Sequence, residues 1–199
     1  MSGFTDLFDF EDALADYTGA PYVVLTDGCT HAIELCMRYY RIKACAMPAH
    51  TYISVLNTMR QLGVYVELTD DRWIGEYQLL GTQIWDSARR LEEDMYRPGH
   101  VQCLSFGHSK PLELGKVGAI LLDDAVAYAS LSRWRSDGRD LRVQPWQAQV
   151  EFDSGFHYCP TLEDCRIGLK KLKSYQSSTP VYREYPDLRK LTIDVFPFA

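Results

Sequence analysis

A lysine and an aspartate each stand at the end of an apolar run, in positions that suit chemistry. Lys110 lies in the polar loop between the apolar runs 101–106 and 119–122, and Asp86 follows the short run 82–85. An amine that is held beside buried strands can attack a carbonyl carbon and form a Schiff base. A carboxylate at a strand tip can keep a pyridinium nitrogen protonated. The two residues therefore indicate chemistry on a carbonyl cofactor and on a pyridine ring.

Both residues also allow a purely structural interpretation. Lys110 could be a surface lysine in a hairpin, because the runs on either side of it are short. Asp86 could cap a helix and pair with Arg89 and Arg90, which follow it closely. The local sequence leaves these alternatives open.

The turn at 26–30 is a candidate phosphate site. It joins the apolar run 22–25 to a helical pattern that reaches about Arg41. A strand that leads through a small polar turn into a helix presents free backbone N–H groups and the positive end of the helix dipole. The alternative is an ordinary helix in which Asp27 or Thr30 is the N-cap.

Strands and helices are predicted to alternate along the chain. The predicted strands are 22–25, 44–47, 64–68 and 82–85, and the predicted helices are 8–17, 30–41 and 50–62. This alternation indicates an α/β domain with a mainly parallel sheet and helices on its faces. Ligands bind at the carboxyl ends of the strands in such sheets, which places 29–30, 50–52 and Asp86 on one rim.

Composition narrows the possible classes of protein. The 199 residues are 46% hydrophobic, so we expect one compact domain over 1–172, followed by a linker and tail at 173–199. The six cysteines show neither CxxC pairs nor zinc-ligand spacing, which predicts reduced thiols, a cytoplasmic location and no metal site. The net charge of −6 argues against bulk attraction to nucleic acid or membranes, and no run is apolar enough to cross a bilayer.

Five motifs, in order, resemble those of the DegT/StrS-type sugar aminotransferases, which are pyridoxal-phosphate (PLP) enzymes of fold type I. The motifs are FEDALADYTGAPYVVLTDGCTHAIEL, MPAHTYISVLNTMRQLGVYVELTD, WDSAR, SFGHSK and GFHYCPTLEDCRIGLKKL. The resemblance implies PLP as the cofactor and a three-layer large domain over most of 8–172. The family's C-terminal small domain has no counterpart after Leu172, and the segment between Asp70 and Asp86 is shorter than in the family.

The resemblance also assigns roles to residues around the reacting centre. Lys110 would bind PLP covalently and later move the α-proton of the substrate, and Asp86 would pair with the pyridine nitrogen. Cys29, Thr30 and Ser105 would bind the phosphate, the first two through the N-terminus of their helix.

Three further residues have roles by the same resemblance. Tyr52 would stack on the cofactor ring, and Arg89 stands beside the cofactor where the family usually has Gln or His. His157 would reach the phosphate of a partner subunit, because the loop before its helix crosses to the neighbour in the family. This implies a homodimer with shared sites.

The segment 132–147 indicates what kind of substrate the protein could bind. It contains Arg133, Trp134, Arg135 and Arg139, and arginine interleaved with tryptophan suits a phosphate backbone with stacked bases. The alternative is a solvated helix face with buried tryptophans. This segment could therefore bind nucleic acid despite the negative net charge.

The reaction expected from these features is a decarboxylation. An open site with a basic segment beside it favours an amino acid attached to modified thymine in DNA, and the chain resembles compact PLP enzymes of bacteriophage DNA hypermodification. An aminotransferase that acts on a sugar or another small substrate is the first alternative. A non-catalytic PLP-binding subunit is the second, and the presence of both Lys110 and Asp86 counts against it.

Overall fold

The computed structural model describes residues 3–192, so the last part of the predicted tail, 193–199, lies outside the described residues. The strands are Tyr22–Thr26 (β1), Ala44–Pro48 (β2), Tyr65–Thr69 (β3), Tyr77–Gln78 (β4), Ile84–Asp86 (β5), Val101–Ser105 (β6) and Gly118–Leu122 (β7). The α-helices are Thr5–Thr18 (α1), Cys29–Tyr39 (α2), Ile53–Gln61 (α3), Ala125–Trp134 (α4) and Leu162–Leu172 (α5). Short 3-10 helices lie at Trp146–Ala148 and Leu188–Lys190.

A mixed sheet forms the middle layer, in the order β1-β7-β6-β5-β4. β2 and β3 form a parallel pair, which an antiparallel bridge between Ala46 and Leu80 joins to the edge beside β4. β1 and β6 both run antiparallel to β7, β5 is parallel to β6, and β4 is antiparallel to β5. It follows that β1, β2, β3, β5 and β6 share one direction, which confirms the predicted α/β sheet of mainly parallel strands.

Helices cover both faces of this sheet. In β1, Val23 and Leu25 belong to the core that contains α1 and α5, whereas Val24 packs with α2, α3 and α4. The residues of β7 alternate in the same way, because successive side chains of a strand point to opposite faces. Burial on both faces explains why these strands are continuous apolar runs. The domain therefore has three layers.

The boundaries of several elements differ from the prediction. The helix predicted over 50–62 begins only at Ile53, because Tyr52 has an extended backbone with ψ of 131°. The strand predicted at 82–85 is β5, and the short strand β4 before it was not predicted. A two-residue strand is too short to leave a periodic pattern in the sequence. No helix within residues 3–192 is both long and apolar enough to span a membrane.

Arg135 lies inside the domain. Its side chain is 1% exposed, and it donates hydrogen bonds to the Glu11 carboxylate and to the carbonyl oxygen of Leu25, the latter at 2.7 Å. Glu11 in turn accepts a hydrogen bond from the backbone N–H of Leu25 at 2.8 Å. A buried ion pair of this kind joins α1, β1 and the end of α4. The role in nucleic-acid binding expected for Arg135 is therefore wrong.

The rest of the expected nucleic-acid surface is also occupied by contacts within the chain. Arg133 pairs with Asp153 at 3.0 Å, and Arg139 pairs with Asp137 at 3.3 Å. Trp134 is partly buried against the core around α2. Because Arg133, Arg135 and Arg139 pair with carboxylates and Trp134 packs inward, these four residues do not form the basic stacking surface that the composition suggested.

Candidate active site

A cleft of about 390 Å³ opens where β1, β2, β5 and β6 end. The predicted cofactor-binding residues that line it are Cys29, Thr30, Tyr52, Asp86, Ser105 and Lys110. They come from loops and helix ends that follow strands of one shared direction, as the general rule for open α/β sheets requires. The prediction that 29–30, 50–52 and Asp86 share one rim is confirmed for 29–30, 51–52 and Asp86, whereas His50 lines a different cavity.

Lys110 lies in the loop 106–117, which joins the antiparallel neighbours β6 and β7. The connection thus has the topology of a hairpin, but the lysine side chain is half-buried and lines the cleft. Ser109 and Leu112 have φ values of 58° and 65°, in the left-handed region that side chains other than glycine disfavour. Such backbone strain costs on the order of 1–3 kcal/mol per residue and is concentrated at functional sites.

Asp86 is the last residue of β5 and is 4% exposed. Its Oδ1 accepts a hydrogen bond from the backbone N–H of Ala88 at 3.0 Å. Burial raises the pKa of the Asp86 carboxyl above its ordinary value, although Tyr77, Ala88 and the charge of Lys110 oppose the shift. Residues 87–100 contain no helix, so the alternative in which Asp86 caps a helix is wrong.

Tyr77 is a member of the site that sequence reasoning missed. It lies on β4, in register with Asp86, and its hydroxyl accepts a hydrogen bond from Thr51 Oγ1 at 3.0 Å. Tyr77 lies beside the Asp86 carboxyl, and with the bond from Thr51 accepted its hydroxyl proton is free to point to that carboxyl. Burial raises the pKa of Tyr77 well above its ordinary value, so the phenol stays protonated. Thr51 and Tyr77 therefore lie where they can orient the Asp86 carboxyl, which the Ala88 N–H already holds.

The N-terminus of α2 faces the cleft without a side-chain cap. Gly28 is the N-cap residue in an extended conformation, and no side chain among residues 3–192 caps the helix there. The alternative in which Asp27 or Thr30 caps the helix is therefore wrong. Thr30 Oγ1 instead lies 2.9 Å from Ser54 Oγ, in the first turn of α3. The first N–H groups of α2 remain available to an anion.

Two basic side chains beside this helix end were also missed. His31 Nδ1 lies 2.5 Å from Asp27 Oδ1, and Lys116 Nζ lies 3.1 Å from Asp27 Oδ2. His31 and Lys116 both line the cleft. Burial alone would raise the pKa of Asp27, but hydrogen bonds with His31 and Lys116 hold it below its ordinary value. The i, i+4 spacing of Asp27 and His31 at a predicted helix start was the available signal.

The His31 ring is fixed on its other side as well. It stacks on the ring of Tyr158, with centroids 3.8 Å apart and an interplanar angle of 7°. Because Nδ1 is engaged with Asp27, Nε2 is the nitrogen that is free to bind a ligand.

The thiol of Cys29 contributes little charge to the site. Its Sγ donates a weak hydrogen bond to the carbonyl oxygen of Cys103 at 3.5 Å. Burial raises the pKa of the Cys29 thiol well above its ordinary value, so the sulfur is protonated at neutral pH. Any contact of Cys29 with an anion would therefore be made by its backbone N–H.

Arg89 and His157 lie outside the cleft, unlike the other predicted cofactor residues. Arg89 donates a hydrogen bond from Nη2 to the carbonyl oxygen of Ser109 at 3.1 Å and lines a neighbouring cavity. The His157 side chain is 85% exposed and lies 3.1 Å from Asp137. The expected contact of Arg89 with the cofactor is therefore not formed in the cleft. The exposed position of His157 leaves its predicted role toward a partner subunit open.

Comparisons with known proteins agree with this geometry. Residues 5–76 match the model of the DegT/DnrJ/EryC1/StrS aminotransferase family, whose members depend on PLP. No curated protein matches the chain.

Similar solved structures cover most of the chain. One is Helicobacter pylori PseC, an aminotransferase involved in the biosynthesis of pseudoaminic acid, with a TM-score of 0.71 and 14% identity. Another is a DegT DnrJ EryC1 StrS aminotransferase from Brucella abortus, with a TM-score of 0.68 and 16% identity. A third is the sugar aminotransferase CalS13 from Micromonospora echinospora, with a TM-score of 0.67 and 15% identity.

The matches cover 87%, 85% and 85% of this chain, in that order, but only 58%, 58% and 60% of the solved chains. The chain therefore has the α/β fold of the PLP fold type I aminotransferases over part of their length. The neighbours are named as aminotransferases, so the expected preference for decarboxylation is wrong. These matches support neither a DNA-linked substrate nor a bacteriophage pathway.

Proposed function

We propose that this chain is a PLP-dependent aminotransferase of the DegT type that acts on a sugar or another small substrate. The observation that carries the proposal is the meeting of Lys110 and the buried Asp86 in one cleft at the strand ends. The family match over 5–76 and the aminotransferase neighbours support the same reading.

The side chains of the cleft suit PLP. Burial disfavours the charged form of a carboxylate, so a protonated ring nitrogen beside it would stabilise that form. Asp86 is such a buried carboxylate. The uncapped start of α2 offers N–H groups to a phosphate, and His31 and Lys116 add positive charge beside it. Tyr52 is 58% exposed on the rim, so its ring face is free to stack on another ring.

Each residue would have a separate task. When bound, PLP supplies a ring that accepts the electron pair released at the substrate's α-carbon. Lys110 would hold the cofactor. Its Nζ would then take a proton from one reacting carbon and deliver it to another. Asp86 would keep the ring nitrogen protonated, and Tyr77 and Thr51 would keep the carboxylate in place.

The absorption spectrum of the purified protein tests the proposal. A visible band that borohydride removes, with the adduct on the peptide that contains Lys110, is the expected result. Addition of an amino acid donor should bleach the band and release the corresponding keto acid in equal amount. A protein that takes up no PLP, or a donor that loses carbon dioxide without forming a keto acid, would overturn it.

We infer that the active assembly is a homodimer in which His157 serves the partner's site. The support is its 85% exposed side chain, which lies away from the cleft of its own chain. Neither Lys110→Ala nor His157→Ala alone should form a complete site. A mixture that forms heterodimers should regain activity, because one of its two sites has both native residues. A mixture without regained activity, or a PLP-loaded monomer in light scattering, would contradict the shared site.

A further inference from the structure

A second cavity, of about 400 Å³, lies beside the loop that carries Lys110. Its lining includes three basic residues, Arg89, Lys110 and Arg183, and three small hydroxyl residues, Ser109, Ser178 and Thr179. Lys110 lines both this cavity and the main cleft, so the two are neighbours that share one side chain. None of the roles proposed for the cleft residues involves the second cavity.

The segment 175–183 after α5 forms one wall of this cavity and is packed in place. A Cβ atom built on Gly75 would lie 3.0 Å from the Pro180 ring, so the absence of a side chain lets the proline sit there. The backbone N–H of Arg89 donates to the carbonyl oxygen of Gly75 at 3.1 Å. The Tyr175 hydroxyl donates to the carbonyl oxygen of Leu91 at 3.3 Å. These contacts hold the segment against the loop that carries Arg89.

The cavity has an excess of positive charge. Arg183 forms no ion pair with any residue between 3 and 192, and the hydrogen bond of Arg89 goes to a neutral carbonyl. The acid in the wall is Glu113, which accepts a hydrogen bond from the Ser109 N–H at 3.3 Å and lies 3.4 Å from His108. Two guanidinium groups that have no carboxylate partner among residues 3–192 create a local field that attracts anions.

We propose that Arg89 and Arg183 form an anion subsite, which binds a carboxylate or phosphate group of the substrate beside Lys110. The planar guanidinium group matches both kinds of anion with paired hydrogen bonds. The subsite extends the proposed function, since it would hold an anionic substrate while its amine or carbonyl lies near Lys110. A carboxylate would come from the amino acid donor, and a phosphate would come from a nucleotide-linked sugar.

Titration calorimetry of the PLP-loaded protein tests the subsite with two unreactive probes. Maleate represents a dicarboxylate donor, and thymidine diphosphate represents the nucleotide part of an acceptor. We expect Arg183→Gln and Arg89→Gln to weaken binding of at least one probe by roughly 10-fold or more, since each removes charge-assisted hydrogen bonds. Arg183→Lys should lose less than Arg183→Gln, because it keeps the charge without the fork. Arg60→Gln is the control, because Arg60 is exposed on α3 and lines neither cavity.

The outcomes separate this inference from the proposed function. Loss of maleate binding alone identifies the donor as the source of the anion, and loss of thymidine diphosphate binding alone identifies the acceptor. If both glutamine variants keep their visible band and bind both probes as the unsubstituted protein does, the subsite is refuted and the PLP proposal stands. If the protein takes up no PLP, the same titrations are made on the PLP-free protein; a loss of probe binding by the variants then means that the proposed function fails and the subsite stands. Absence of probe binding to the unsubstituted protein also refutes the subsite.

Discussion

Gly118 lies directly against the backbone of Cys29: a Cβ atom built on Gly118 would be 2.4 Å from the Cys29 nitrogen. β7 thus passes beneath the turn that starts α2, and only glycine fits there. We expect Gly118→Ala to lower the free energy of unfolding by about 1–3 kcal/mol, the usual cost of overpacking. It should also weaken PLP binding, because the displaced turn carries the N–H groups proposed to bind phosphate.

Urea unfolding and a fluorescence titration with PLP measure the two effects of Gly118→Ala. Gly107→Ala is the matched control, since a Cβ atom there would meet Ser105 Oγ at an ordinary 3.6 Å. Equal stability of the two variants would show that the contact between β7 and the turn has room for a methyl group.

Lys110→Ala should abolish the visible PLP band and lower the rate of amino transfer by roughly 10²–10⁴-fold, the usual contribution of a proton-transferring group. Lys116→Ala is the comparison, because Lys116 lines the same cleft but pairs with Asp27. Mass spectrometry after borohydride treatment should show the adduct in the Lys116 variant and in the unsubstituted protein. An adduct that persists in the Lys110 variant would contradict the assignment.

Asp86→Asn should separate stability from activity. Burial raises the pKa of Asp86 in the folded state, so the folded chain holds this proton more tightly than the unfolded chain does. The free energy of unfolding of the PLP-free protein should therefore fall as the pH rises from about 4, the ordinary pKa, through the raised value. Asparagine does not titrate, so the variant should lack this loss and melt higher than the parent at about pH 8.

Melting curves across this pH range measure the effect, and a change of 1 kcal/mol corresponds to about 2–4 °C for a chain of this size. The same variant should lose most of its amino-transfer activity, because amide oxygen does not hold a pyridinium nitrogen as a carboxylate does. A variant that is less stable than the parent at high pH would show that Asp86 is structural.

His31→Gln tests the basic side chains beside the start of α2. If His31 Nε2 binds the cofactor phosphate, the affinity for PLP should fall roughly 10-fold, as expected for one charge-assisted hydrogen bond. The affinity for pyridoxal, which has no phosphate, should not change. A titration with each compound gives the comparison, and an equal loss for both would assign His31 to packing against Tyr158 instead.

Arg135→Met should leave the buried Glu11 carboxylate without its partner and lower the free energy of unfolding by about 3–5 kcal/mol. The double variant Glu11→Gln with Arg135→Met should recover part of this loss, since it removes the unpaired charge. Denaturant unfolding of the two variants measures the difference. If the single variant loses less free energy of unfolding than the double variant, the ion pair does not stabilise the connection between α1 and α4.

The sequence predicted those structural features that a single segment of the chain determines. Apolar runs between polar turns predicted the strands that end at Asp86 and before Cys29, and their shared direction predicted one rim for both. The contacts that Tyr77 and Arg135 make escaped prediction for a different reason. Tyr77 reaches Asp86 from a two-residue strand, and Arg135 meets Glu11 across 124 residues of sequence. Neither pairing is encoded in a local pattern, so only the folded chain reveals it.

The contact between α1 and α5 also has a consequence for how the chain folds. Gly168 of α5 packs against the ring of Phe10 of α1, although the helices Thr5–Thr18 and Leu162–Leu172 are far apart in sequence. Contacts of such large sequence separation form slowly, because closing the long intervening loop costs entropy first. During synthesis α1 leaves the ribosome early, and α5 is available only after the sheet residues have been made. Until α5 is made, the apolar face of α1 around Phe10 stays exposed to solvent. A nascent chain that stops before residue 162 would therefore be prone to aggregation.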